Sequence, residues 1–244
     1  MNILDDLLAT LSFDAEVKDI RQGPFQTAVV TRHCGLAATP HDPGPHQEVA
    51  PVKEAGTLMA RSALELAQMA YSSSLLEAAI GMATINSLLN VDEERCVNLN
   101  ARDLFAEKGR GKKVAIIGHS PFVAKLRQVV KELWVIEKEP WEGDFAEGEA
   151  ERLLSQADVV GITGTAITNH TIEGLLSLCR PEAYVVILGG TTPLSPVLFR
   201  YGVDAISGTK VVDTEAVLHG VSQGATFRQL PGIQLLTMEK GTNE

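Results

Sequence analysis

The segment "GHSPFV" at residues 118–123 places a glycine, an imidazole and a hydroxyl directly after the apolar run "VAII". Nucleotide-binding α/β units begin with this order of strand, glycine and helix, but they carry further glycines where this chain has His119, Ser120 and Pro121. Ser120 is a favourable N-cap and Pro121 a favourable first helical residue, so we predict a helix whose first amides face a carboxylate or phosphate. His119 is predicted to point into the same crevice as a hydrogen-bond partner, an acid/base or a metal ligand, or else to pack at the sheet edge.

The loss of the glycines also limits which cofactors we expect. The pyrophosphate of a nicotinamide dinucleotide needs bare backbone at this turn, and Pro121 has no amide proton to donate. We therefore expect no tight binding of NAD or NADP, while an adenosine-bearing ligand such as S-adenosylmethionine, held by Glu137, stays open. The sequence points to no particular cofactor.

Polar residues also follow the later apolar runs of this half of the chain. Glu137 ends "LWVIE", where nucleotide-binding proteins of this architecture hold a ribose diol; the alternative is a solvated charge. Asn169 is a candidate for ligand contact or a helix cap, and Lys210 a partner for an anionic ligand or a solvated lysine. The candidate ligand-binding residues are Gly118, Ser120, Glu137, Thr163, Gly164, Thr165, Asn169, Gly189, Gly190, Thr191 and Lys210. Together they predict a neutral pocket rich in hydrogen-bonding groups.

A second group of candidate ligands lies in the N-terminal half, in "RHCGLAATPHDPGPHQE". It contains His33, Cys34, His41 and His46. Imidazole and thiolate together suit zinc, copper or nickel, although the spacing matches no closed-site motif. A transition-metal site is one interpretation, and a loop that reaches toward the crevice is the other.

The elements that must position these residues change character along the chain. After the linker-like stretch "AEKGRGKK", five short runs rich in branched residues alternate with helical patterns, which predicts a doubly wound parallel sheet. In such a sheet the strand-end loops meet at the carboxyl edge, which is where ligands bind. We place an α+β domain in residues 1–108 and a Rossmann-like α/β domain in residues 109–244, with a ligand crevice between them.

The N-terminal half reads as a mixture of helices and strands. "NILDDLLATL" predicts a helix, and the stretch around Gly23 and Pro24 predicts two strands followed by a Pro/Gly-rich loop over residues 35–51. Two helices are then predicted in "GTLMARSALELAQMAY" and "SSLLEAAIGMATINSLLN". The second is expected to begin with a capping box in which Ser74 and Glu77 bond to each other's backbone.

Composition excludes several classes of protein. The chain has 244 residues, 45% of them hydrophobic, and a net charge of −10 spread over both halves, so nucleic-acid binding is not expected. No apolar run reaches the roughly 18 residues that span a bilayer, and the acidic start is unlike a signal peptide, so we expect a cytoplasmic protein without membrane contact. Three scattered cysteines suggest no disulfide framework, and Cys96 and Cys179 are predicted to be core residues. The oligomeric state does not follow from the sequence.

Two resemblances extend this interpretation. The stretch "ADVVGITGTAITNHTIEGLLSLCRPEAYVVILGG" is similar to the fourth-strand region of nicotinamide-dependent hydroxyacid dehydrogenases, which implies that its first strand lies beside "VAIIG" in an order 2-1-3-4-5. The segments "SLLEAAIGMATINSLLN", "IGHSPFV", "TGTAITNHTIEGLL", "LGGTTPLSP" and "GVDAISGTKVVD" resemble, over nearly the whole chain, a family of uncharacterised bacterial and archaeal proteins associated with heavy-metal chelation. That resemblance implies an enolase N-terminal-like domain before a Rossmann-like domain, and a role with flavin, pterin or metal-chelating precursors.

Two functions remain open from the sequence. The first is an enzyme acting on a heterocyclic or chelator-like metabolite, with His119 as acid/base and Glu137, Thr165, Asn169 and Thr191 orienting the substrate. The second is a non-catalytic binding protein for a transition metal or metal chelate that uses the histidines of the long loop. The partner expected in either case is a small molecule, with or without a metal.

Overall fold

The computed structural model describes residues 2–40 and 50–241. The first half forms a helix, a three-stranded antiparallel sheet in the order β1-β2-β3, and two further helices. These elements are α1 (Ile3–Ala9), β1 (Asp19–Gln22), β2 (Gln26–Val30), β3 (Cys34–Ala38), α2 (Ala63–Gln68) and α3 (Leu75–Leu88). The predicted first helix and the two strands around Gly23 are therefore confirmed.

Strand β3 corrects the predicted loop, which was placed from residue 35 onward. The strand pairs with β2 from Gln26 opposite Ala38 to Val30 opposite Cys34, and it packs against α3. Gly35 allows this packing, because a β-carbon there would overlap Ala83 O and lie 2.7 Å from the Asn86 carbonyl carbon. These residues form a strand because their backbone packs closely against α3, and no local sequence pattern indicates this contact.

The predicted capping box at Ser74 is wrong. The Ser74 hydroxyl donates to Pro51 O, while Glu77 accepts from the Lys53 amide at 2.8 Å and from the Ser72 hydroxyl at 2.6 Å. The Glu77 carboxylate therefore bonds to residues that precede the helix and not to the backbone amide of Ser74.

The preceding helix is also shorter than predicted. Only Ala63–Gln68 is α-helical, flanked by 3-10 turns at Leu58–Ala60 and Met69–Tyr71. The capping box belongs to this helix, where Ser62 and Glu65 bond to each other's backbone.

The second half is built on an eight-stranded sheet in the order β4-β11-β10-β9-β8-β5-β6-β7. Its strands are β4 (Cys96–Val97), β5 (Lys113–Ile117), β6 (Glu132–Glu137), β7 (Phe145–Ala146), β8 (Val159–Thr163), β9 (Tyr184–Leu188), β10 (Ala205–Val211) and β11 (Ile233–Glu239). The strands from β10 to β7 are parallel, and β11 is antiparallel to both of its neighbours, β10 and β4. The predicted parallel sheet and its order 2-1-3-4-5, here β6-β5-β8-β9-β10, are confirmed.

Helices connect and cover these strands. They are α4 (Ala101–Lys108), α5 (Val123–Leu126), α6 (Ala150–Leu154), α7 (Thr165–Thr168), α8 (Ile172–Leu178) and α9 (Thr214–Ser222). Strand β4 pairs with β11 and helix α4 packs on the same sheet, although both precede residue 109. The division of the chain between residues 108 and 109 stays a prediction. None of the helices in the described parts of the chain has the length and apolarity needed to cross a membrane.

The helix after β5 corrects another expectation. It begins at Val123 with Phe122 as N-cap, so Ser120 does not cap it and Pro121 precedes it. Bonds of the tighter i to i−3 type, Gln128 N to Lys125 O and Val129 N to Leu126 O, end the α-helix after one turn. Residues 120–123 therefore form a hydrogen-bonded turn, closed by Val123 N donating to Ser120 O at 3.1 Å, instead of the predicted helix N-terminus.

The two halves share one hydrophobic core, which includes Leu7 and Ile80 from the first and Ile162 and Met238 from the second. Polar ties reinforce it at several points. The Ile3 amide donates to Glu173 at 3.0 Å, and the Tyr201 hydroxyl donates to Asp6 at 2.9 Å. The halves therefore hold each other in a fixed arrangement.

Candidate functional site

Three neighbouring strand ends converge at Thr163, which ends β8. Gly118 follows β5 with φ +100° and Gly189 follows β9 with φ +112°. A β-carbon at Gly118 would lie 3.2 Å from the Thr163 side chain, and one at Gly189 would lie 4.0 Å from Thr163 Oγ1. Both glycines adopt the left-handed conformation that other residues rarely take. The structure thus brings together three of the predicted residues at the carboxyl edge of the sheet.

The neighbouring glycines differ in what surrounds them. A β-carbon at Gly164 would lie 2.7 Å from Thr192 N, and one at Gly190 would lie 2.6 Å from the Phe227 ring, so both are needed for packing. At Gly189, apart from its two chain neighbours, no described residue has an atom closer than 4.0 Å to such a β-carbon. Gly189 is therefore the position where the backbone faces open space.

Hydrogen-bonding groups lie on the loops that follow these three strand ends. Thr163 donates its hydroxyl to Thr165 Oγ1 at 3.2 Å, which leaves the Thr165 proton to donate onward. No described residue accepts a hydrogen bond from the amides of Ser120 or Gly190. The hydroxyl of Thr192, which the sequence places with Thr191 after the two glycines of "LGGTT", is buried and also has no partner among the described residues. These groups can donate to oxygen atoms of a ligand.

His119 occupies a compact cluster beside this edge. Its amide donates to Glu137 Oε1 at 2.6 Å, its Nδ1 lies 3.2 Å from the same oxygen, and its Nε2 lies 2.5 Å from Asp144 Oδ2. The imidazole also stacks on the Trp141 ring with centroids 3.8 Å apart. Because both ring nitrogens face carboxylates, neither is free for a ligand in this arrangement, and Glu137 is held by His119.

Asp144 and Trp141 were missed by the sequence interpretation. Trp141 is 70% exposed, and its backbone amide donates a hydrogen bond to the carboxylate of Asp144 at 3.1 Å. Their segment "WEGD" closes a short turn after the acidic residues that follow β6, and an exposed tryptophan in such a turn is the one signal that could have indicated it. The turn packs against one face of the His119 imidazole, which stays partly exposed.

Other predicted residues have structural contacts. The Thr191 hydroxyl accepts the Ala38 amide at 2.9 Å, so this buried threonine ties β3 to the second half. Asn169 accepts hydrogen bonds from the Thr171 amide and hydroxyl at 3.3 and 2.7 Å, but Thr171 is itself the N-cap of α8, so Asn169 does not cap that helix. Lys210 forms an ion pair with Glu93 and is not a lone cation.

The predicted metal ligands of the N-terminal half are not brought together where they are described. His33 is exposed with its Nε2 3.4 Å from Asn90 Oδ1, while Cys34 is buried in β3. His41 and His46 lie outside the described residues. Across residues 2–40 and 50–241, no group of three or more His, Cys, Asp or Glu side chains is placed to hold a metal ion.

Cys34 gives a direct test of this geometry. Burial, with a contribution from Asp19, raises the pKa of its thiol to about 12, so the reactive thiolate is scarce at neutral pH. In the native protein at pH 7.5 we expect iodoacetamide to leave Cys34 unmodified, and to modify it in urea. Peptide mass spectrometry measures this, and rapid native labelling of Cys34 would contradict the buried strand.

This geometry defines a Rossmann-like α/β protein with an α+β unit packed on it, and comparison with known proteins supplies the family. Residues 100–238 match the DUF364 family model and residues 4–89 match the DUF4213 model, both described as "Putative heavy-metal chelation". The chain belongs to the DUF364 family. That description indicates a metal-binding or small-molecule-binding role.

Solved structures agree with this assignment. The crystal structure of a DUF364 protein of unknown function from Desulfitobacterium hafniense is 27% identical, with a TM-score of 0.84 over 98% of this chain and 97% of that chain. A second DUF364 structure, from Pyrococcus horikoshii, is 22% identical, with the same TM-score over 98% of this chain and all of the other, and it supports the fold alone.

The match to a related sequence covers less of the chain. An uncharacterized protein of Methanocaldococcus jannaschii is 29% identical over 161 residues, which are 63% of this chain and 62% of that protein. The matched region thus spans less than two thirds of this relative.

Proposed function

We propose that the protein binds a small, oxygen-rich anionic molecule over Thr163, between Gly118 and Gly189, and that it handles metal as a chelate of this molecule. The observation that carries the proposal is the open space at Gly189, which together with Gly118 forms two left-handed turns beside Thr163. The carboxyl edge of a parallel sheet is where ligands of this architecture bind. The family description favours a ligand of the chelator type.

The surrounding groups suit such a ligand. The amides of Ser120 and Gly190 and the hydroxyls of Thr165 and Thr192 are donors, and donors complement carboxylate, phosphate or enolate oxygens. A bare metal ion would need carboxylate, imidazole or thiolate ligands. Donor groups of this kind therefore support an organic ligand more than direct coordination of a metal.

Catalysis on the ligand is the finer part of the proposal. His119 is the acid/base candidate, and a substrate that reached Nε2 would have to replace Asp144, which lies 2.5 Å from that nitrogen. The turn that carries Trp141 and Asp144 would move with this exchange. Glu137 would keep its hydrogen bond to the His119 amide and so hold the backbone of His119 in place.

Binding is tested by thermal-shift screening followed by calorimetry. The panel contains nucleotides, pterins, flavin precursors, tetrapyrroles, and citrate with and without Ni²⁺; Ni²⁺ alone is the comparison for direct metal binding. Gly189→Ala is expected to weaken binding of the hit about tenfold, because a methyl group fills the open space where the ligand approaches.

The matched control is Gly111→Ala. Gly111 also has a positive φ, +68°, and nothing within 4 Å of a β-carbon, but it lies before β5 at the opposite edge of the sheet. Both variants place alanine at a positive φ, and thermal unfolding checks that each is folded, so a difference in affinity reports on the ligand. Equal affinity in the two variants, or stoichiometric binding of Ni²⁺ alone with no organic hit, would overturn the proposal.

A further inference from the structure

A separate cleft lies between the two halves, with a volume of about 760 Å³. It is lined by the residues that follow α1, the turn between β2 and β3, the end of α3, the segment between β9 and β10, and the residue after β11. Sites for small molecules have volumes of roughly 300 to 1,000 Å³ and occur preferentially at domain interfaces. We call this space the interdomain cleft.

The interdomain cleft carries three cations in a chain with a net charge of −10, namely Arg32, Arg200 and Lys240. Arg32 is held in place because its Nη1 donates to Leu88 O at 2.8 Å and its Nη2 to Asp14 Oδ1 at 2.7 Å. Within the described parts of the chain, no carboxylate forms an ion pair with Arg200 or Lys240. Two positive charges at this cleft are therefore available to a ligand.

The walls between these cations are apolar, with one polar exception. Leu89, Leu194 and Phe199 are all buried and line the cleft. Ser195 also lines it and is 3% exposed, but its hydroxyl caps no helix and bonds to no described residue. This hydroxyl can therefore form a hydrogen bond with an oxygen atom of a ligand in the cleft.

The cleft is fixed before any ligand arrives. Helix α1 packs on the 3-10 turn Pro196–Tyr201, and the Tyr201 hydroxyl donates to Asp6 at 2.9 Å across the same junction. Preformed walls reduce the conformational entropy that binding must overcome. The cleft is therefore a preformed site that stays open without a ligand.

We propose that the interdomain cleft is a second binding site, for an organic anion with an apolar body. It does not depend on the proposed function at Thr163, because none of the residues that line the cleft belongs to that site. Glu239 pairs with Ala205, the first residue of β10, so Lys240 follows at the amino edge of the parallel strands. Thr163 ends β8 at the carboxyl edge.

The test uses two probes that differ in charge and share an apolar body. Anilinonaphthalene sulfonate is an aromatic anion, and phenylnaphthylamine is its uncharged counterpart. Fluorescence titration of the full chain is expected to give one saturable site for the sulfonate, with Kd on the order of 10 μM and weaker binding at high salt. The uncharged probe is expected to bind at least about tenfold more weakly, since it gains nothing from the cations.

Variants then locate the site. Arg200→Ala and Lys240→Ala are each expected to weaken sulfonate binding about fivefold, and the double variant by the product of the two. Arg228→Ala is the matched control, because Arg228 is also exposed but lies outside the cleft. Thermal unfolding checks that each variant is folded. Equal binding of both probes, no saturable sulfonate site, or equal affinity in the cleft and control variants would overturn the proposal.

Discussion

Replacement of Gly81 by alanine is expected to lower the free energy of unfolding by about 3 kcal/mol. Gly81 lies in α3 where this helix meets the turn that follows α2. A β-carbon at this position would overlap Ala70 N and lie 2.5 Å from Ala70 Cα and 2.6 Å from Met69 C. The atoms in the way are backbone, so no side chain can rotate to make room. Urea denaturation followed by circular dichroism measures the change.

Gly174→Ala provides the matched control for this prediction. Gly174 also lies inside a helix, α8, but nothing comes within 4 Å of a β-carbon there. Alanine should therefore stabilise the protein by about 0.5 to 1 kcal/mol through its higher helix propensity. If Gly81→Ala left the free energy of unfolding unchanged or raised it, as expected for Gly174→Ala, the close approach at Gly81 would not exist in the folded protein.

A fragment containing residues 111–244 is expected not to fold cooperatively, even though the charged stretch before it reads as a linker. The fragment lacks α4, whose Leu104 and Phe105 are 1% and 0% exposed and form part of the core on one face of the sheet. A β-carbon at Gly161 in β8 would lie 2.6 Å from the Phe105 ring, so this ring lies directly on the sheet. Loss of α4 would leave that face in contact with water. Solubility and thermal unfolding of the purified fragment measure the effect.

A point substitution in the full chain separates this effect from the loss of chain length. Phe105→Ala is expected to cost about 3 to 5 kcal/mol, because it leaves a cavity in a closely packed core. Trp141→Ala is the control, since Trp141 is 70% exposed, and it should cost less than about 1 kcal/mol. A cooperative transition in the fragment, or similar losses in the two variants, would show that α4 is not required.

The chemical site was only partly visible in the sequence. Gly118, Thr163 and Gly189 could be placed together, because parallel strands bring their carboxyl ends to one edge and a glycine after a strand is a local signal. Thr191 and Lys210 were predicted for the same pocket, yet they bond to Ala38 and Glu93. These partners are 153 and 117 residues away, and no spacing rule reaches that far.

The sequence by itself determined the elements that depend on short-range pattern. Short apolar runs rich in branched residues alternate with helical segments, and this is enough for a parallel sheet with helices on its faces. Only the tertiary structure decided the rest: that β3 is a strand, that Glu77 holds Lys53 instead of capping its helix, and that His119 lies between Glu137 and Asp144. Each of these depends on contacts between segments distant in the chain, where the energy gained by packing and hydrogen bonding exceeds the preferences of individual residues.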